Sequence, residues 1–132
     1  MSTRASGTFE VRLTPQAQDD ESARVGRMSI DKQFHGDLEA TSRGEMLAVR
    51  TAVEGSAGYV AMEQVTGTLG GRAGAFALQH TGTMTRGAAQ LCVRVVPDSG
   101  TDQLAGLAGK MTINVEGGKH SYDFEYTLAE DA

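Results

Sequence analysis

The stretch from Tyr59 to His80 alternates large apolar with small or polar side chains on both sides of a Gly70-Gly71 pair. Period-two alternation marks a strand with one buried face, and two glycines between two such runs mark a two-residue hairpin turn. That turn sets the register. Leu69 faces Arg72, so Val65 faces Phe76, Glu63 faces Leu78 and Ala61 faces His80. A slip of one residue would turn the whole apolar set to water, so the hairpin commits its surroundings to antiparallel sheet. The shared face is apolar except for one carboxylate, Glu63, and one imidazole, His80.

The same pattern recurs along the chain. Eight strands are expected, at 7–14, 23–35, 38–53, 58–69, 72–85, 88–96, 110–116 and 119–128. Arg86-Gly87 and Gly117-Gly118 supply further tight turns, setting His80 opposite Val93, Leu78 opposite Val95, Ile113 opposite Tyr122 and Met111 opposite Phe124. Their neighbours Gln64, Gln79, Arg94, Asp123 and Glu125 then share the opposite face. A three-residue loop, His35-Gly36-Asp37, places Phe34 opposite Leu38 on burial grounds. The pattern changes phase near Arg43–Met46, which calls for a bulge that turns Leu47 and Val49 inward. Residues 14–23 are polar and read as loop, and in the long connection 98–109 Leu104, Leu107 and Ala108 are expected to plug one end. Antiparallel strands with one apolar face each close into a barrel, filled by side chains or holding one small ligand. The fold class is therefore all-β, an eight-stranded antiparallel meander closed into a barrel, with a two-sheet sandwich as the alternative.

At 132 residues the chain is long enough for one core and is read as a single domain, 1–132. A net charge of −5 without a basic stripe argues against nucleic acid as a partner. No apolar run approaches a membrane span, and the amino terminus has no hydrophobic segment, so a cytoplasmic protein is expected. Cys92 is the single cysteine, which excludes an intrachain disulfide. No phosphate loop, zinc motif or nucleophile elbow occurs, and neither a cofactor nor a metal is assigned. Asp19-Asp20-Glu21 reads as a solvated loop.

The segments Phe34-His-Gly-Asp-Leu-Glu-Ala-Thr-Ser42, Tyr59-Val-Ala-Met-Glu63, the glycine-rich run from Gly67 to Gly82 and the run from Val96 to Gly109 resemble a bacterial domain-of-unknown-function family with an allene-oxide-cyclase-like, calycin-type barrel. The resemblance implies an eight-stranded barrel and self-association. Allene oxide cyclases bind an apolar substrate inside such a barrel, but a shared fold does not transfer a reaction.

Glu63 is the sharpest candidate for chemistry. A carboxylate among Tyr59, Val65, Val49 and Leu78 is expected to lose water, rise in pKa and serve as a base near neutral pH. The plain structural alternative is a satisfied carboxylate that accepts hydrogen bonds or pairs with Lys32. His80, diagonal to Glu63, is expected within about 7–8 Å of it, as a proton donor or as a satisfied core residue. Lys32 shares the Met28–Ile30–Phe34 face and either enters the lumen or, as preferred here, snorkels at the rim. Tyr59, Phe76, Leu78, Val93, Tyr122, Phe124 and Tyr126, with Lys32, are the expected ligand-binding side chains, although packing is the default role of the tyrosines.

Three functions stay open on these residues. The first is a small-molecule-binding barrel that holds an apolar molecule and carries out proton transfer, isomerisation or cyclisation with Glu63 as base. The second is a non-catalytic carrier using the same cavity. The third is a structural or interaction protein, because outward Val60, Met62, Ala75, Ala77 and Cys92 are less polar than a solvated sheet needs. A homo-oligomer, with a dimer favoured, is the expected assembly.

Overall fold

The computed structural model describes residues 2–16 and 25–128. The acidic run at Asp19–Glu21 and the remainder of the expected 14–23 loop beyond Gln16 lie outside them. Eight strands run in chain order: β1 Thr3–Pro15, β2 Val25–Gly36, β3 Leu38–Arg50, β4 Ala57–Leu69, β5 Arg72–Thr85, β6 Ala88–Val95, β7 Ala108–Glu116 and β8 Lys119–Thr127. Each pairs antiparallel with the next, and β1 pairs with β8, closing a barrel. The barrel, not the sandwich, is the architecture.

Three hairpins have the registers that their turns dictate. Leu69 faces Arg72 and Glu63 faces Leu78, His80 faces Val93, and Met111 faces Phe124. Gly70 and Gly71 both take positive φ, as a type I′ turn between right-twisted strands requires.

Two expectations are corrected. Phe34 pairs with Ala40, not Leu38, because β2 runs on to Gly36 and the chain reverses tightly about Asp37. The parity is unchanged, so Phe34, Leu38 and Ala40 are all buried. The second correction concerns β3. Its ladder to β4 is unbroken from Leu38↔Leu69 to Arg50↔Ala57, with no bulge. Met46 and Ala48 therefore face the lumen, and Leu47 and Val49 share the outer face with Val60, leaving Leu47 44% exposed.

The two ends of the barrel differ. At one, Leu104 and Leu107, carried by the loop around the 3-10 turn Asp102–Leu104, are fully buried against Phe34, Leu69, Phe76, Phe124 and Tyr126. Ala108, the third expected plug residue, is instead the exposed first residue of β7. Phe76 stacks on Phe124 with ring centroids 5.9 Å apart, and Phe34 meets Tyr122 edge-on. The loop is tied to the outside of β5: Thr101 and Ser99 hydroxyls accept the N–H groups of Ala75 and Ala77. Among the described residues the other end is the more open, with lumen-facing Leu13, Met84 and Leu91 partly exposed there.

Candidate functional site

Between the packed end and the open end lies a layer of charge. Glu63 on β4, Lys32 on β2, Ser42 on β3 and His80 on β5 meet inside the lumen. Glu63 is 1% exposed and His80 4%. The Ser42 hydroxyl donates to Glu63 Oε1 at 2.7 Å, and the Lys32 ammonium donates to Oε2 at 2.9 Å. His80 Nε2 lies against the same Oε2. The Lys32 ammonium also sits 5.0 Å from the Phe9 ring centroid and 5.8 Å from that of Phe34, a cation held over aromatic faces.

Backbone register explains how Lys32 crosses a whole strand to reach Glu63. Lys32 pairs with Ser42, and Glu63 pairs with Gly44, two residues further along β3. Gly44 has no side chain to stand between them, and β3 and β4 approach so closely there that a Cβ would meet the Met62 carbonyl and the Glu63 backbone. The preferred rim position of Lys32 is thus overturned: its ammonium is drawn in by a carboxylate that would otherwise be buried alone. Ser42 and Gly44 were not among the expected site residues. An unbroken β3 ladder reveals them, since it puts Ser42, Gly44, Met46 and Ala48 on the lumen face in turn.

The electrostatics of Glu63 also differ from expectation. Burial pushes its carboxyl up, but the hydrogen bond with His80 and the charges of Lys32 and His80 outweigh burial and hold the group at about 2. It is a fixed carboxylate rather than a base poised near neutrality. Tyr59, on the same face of β4, has its phenol pushed up by burial and, secondarily, by the charge of Glu63.

Towards the open end lies a cavity of about 300 Å³, lined from lumen-facing positions by Met46, Ala48, Arg50, Ala57, Tyr59, Gly82, Met84, Ala89 and Leu91 and from the positions between them by Val49, Gly58, Thr83 and Gln90. The Tyr59 ring covers Gly82, where any Cβ would strike it, and stands 6.4 Å from the His80 ring. Of the expected ligand-binding residues only Tyr59 lines this cavity. Phe76, Leu78, Val93, Phe124 and Tyr126 belong to the packed core. Tyr122 is a structural latch, its hydroxyl accepting the Leu38 N–H at 3.0 Å and donating to the His35 carbonyl at 2.9 Å. Among the described residues no cluster of three or more metal-ligating side chains occurs.

A family model described as "Protein of unknown function (DUF3224)" matches residues 5–126. The chain belongs to the DUF3224 family. A solved DUF3224 structure, a protein with unknown function from Shewanella oneidensis MR-1, is 49% identical over 99% of this chain and 100% of that one, with a TM-score of 0.92. No curated protein matches the chain. Membership in DUF3224 accords with the resemblance to a domain-of-unknown-function family and with the closed eight-stranded barrel. No helix among the described residues is long and apolar enough to cross a membrane.

Proposed function

We propose that this barrel binds an apolar small molecule at its open end. What supports the reading is the cavity of about 300 Å³ lined by Met46, Ala48, Tyr59, Met84 and Leu91, an apolar recess backed by a buried polar cluster. Concave apolar surface with a few convergent polar groups is the general form of a ligand site. Glu63 does not act as the base in this reading. A carboxylate held at about 2, with both oxygens already engaged, is too weak a base near neutral pH. A carrier and an enzyme would both use the same recess.

The test is titration with anilinonaphthalene sulfonate, a dye that brightens in apolar sites. Saturable binding at one dye per chain is expected, lost in Met84→Trp, whose indole fills the recess from a rim position. Equal binding by the parent and the filled variant, with unchanged circular dichroism, would overturn the assignment.

A second reading rests on the surface that adjoins the recess. A groove of about 780 Å³ runs over β2 to β6, lined by outward Leu47, Val49, Val60, Thr81 and Cys92 and shared at one side with Tyr59, Gly82 and Leu91 of the recess, and it is flanked by exposed Met62. We infer that a second copy of this chain covers it, giving a homo-oligomer.

A further inference from the structure

A molecule entering an apolar recess that meets water on one side leaves any charged end at the lip, because carrying a charge inward strips its hydration. The side chains of the lip then decide which charged ends are favoured. Of the residues lining the recess, Arg50 alone is charged. It is the last residue of β3, on the lumen-facing row of Met46 and Ala48, and it is exposed. Among the described residues no carboxylate pairs with it. Arg27 and Arg43, on β2 and β3, lie 3.5 Å from Glu45 and 3.6 Å from Asp31, whereas Glu54 on the turn from β3 to β4 makes no ion pair with Arg50. Resting on the reading that the recess holds an apolar molecule, we propose that its ligand is an amphiphilic anion, an apolar body ending in a carboxylate, with the body in the recess and the carboxylate on Arg50 at the lip.

The charges of the lumen allow one orientation. Met46, Ala48, Met84 and Leu91 offer the body an apolar surface, and the two unbranched methionines adapt to chains of different shape. One step further in, the lumen-facing residues Ala61, His80 and Val93 are buried. The cations at that depth already belong to Glu63: Lys32 donates to it at 2.9 Å, and His80 lies against it. A ligand carboxylate pushed that far would lose its water beside a second carboxylate. At the lip it stays hydrated, and the planar guanidinium fork matches its two oxygens. The chain carries a net charge of −5, so its overall field does not draw anions in. Discrimination for an anion is local, and it rests on Arg50.

The experiment is displacement of N-phenyl-1-naphthylamine, an uncharged apolar dye, from the full chain by three ligands with the same ten-carbon tail: decanoate, decanol and decyltrimethylammonium. Decanoate is expected to displace the dye, with the ammonium about 10-fold weaker in spite of the negative net charge. Arg50→Gln is expected to weaken decanoate about 5-fold and leave decanol unmoved, the size of a guanidinium–carboxylate pair in contact with water. Arg72→Gln, at the packed end, makes the same change in net charge and is expected to alter neither. Added salt should weaken decanoate alone. Equal displacement by decanoate and the ammonium, or an Arg50→Gln variant in which decanol weakens as much as decanoate, overturns the proposal. Dye binding that Met84→Trp abolishes would in that case leave the recess standing. Dye binding that is absent, or that Met84→Trp leaves intact, overturns the recess and the proposal with it.

Discussion

Glu63 stays ionised because three donors converge on it, and this makes the folded state sensitive to acid. Its carboxyl sits at about 2 in the fold against an ordinary 4.5. A depressed carboxyl contributes stability that is fully present above 4.5 and is lost as pH falls towards 2. The loss expected from this group is on the order of 3 kcal/mol. Urea unfolding at a series of pH values checks it: Glu63→Gln should flatten the acid limb of the stability profile. Near neutral pH the same variant should also be less stable than the parent, because the Lys32 ammonium is left buried without its counter-charge. The neighbours Glu63 and His80 were legible in the hairpin, since a two-residue turn fixes diagonal partners. The sign of the pKa shift was not. It depends on Lys32 and Ser42, which arrive from strands far away in sequence, and burial alone argued for the opposite direction.

Among the strands, legibility followed turn chemistry. The β5 bounds match expectation because Gly70-Gly71 and Arg86-Gly87 bracket it with two-residue turns. The second of these turns holds Arg86 at φ 47°, a conformation that costs a residue with an ordinary side chain. Arg86→Asn should therefore stabilise the protein by about 0.5 kcal/mol, seen as a small rise in Tm, with the Arg86 N–H to Ser56 Oγ contact retained by the backbone. An unchanged or lower Tm would mean that the Arg86 side chain compensates for its backbone. β3 departs from expectation for a physical reason. Leu47 and Val49 are apolar, and burial alone would turn them inward through a bulge. In the fold the lumen face of β3 carries the small Ser42 and Gly44 beside the ion cluster, with Leu38 and Met46 to either side, and Leu47 and Val49 lie on the outside.

In the whole molecule, the barrel divides into a packed end, a charged layer and an open mouth, and the outer face of β3 to β6 carries an apolar strip. Val60 and Met62 are 50% and 51% exposed in the middle of β4. Apolar side chains in such a row are the usual signature of a protein contact. Sedimentation velocity should show a concentration-dependent oligomer that the double variant Val60→Lys, Met62→Lys dissociates without loss of strand signal in circular dichroism. A parent monomer at every concentration would remove the second copy from the outer groove.

Local chemistry carried the strand count, three of the hairpin registers and the inward placement of Glu63 and His80, because two-residue turns and period-two alternation act between residues close along the chain. The closed barrel and the capping of one end by Leu104 and Leu107 were also expected from the sequence, whereas the convergence of Lys32 and Ser42 on Glu63 was decided in three dimensions. Those contacts join strands across the barrel, where the stagger of the ladders and the missing side chain of Gly44 determine which groups can touch.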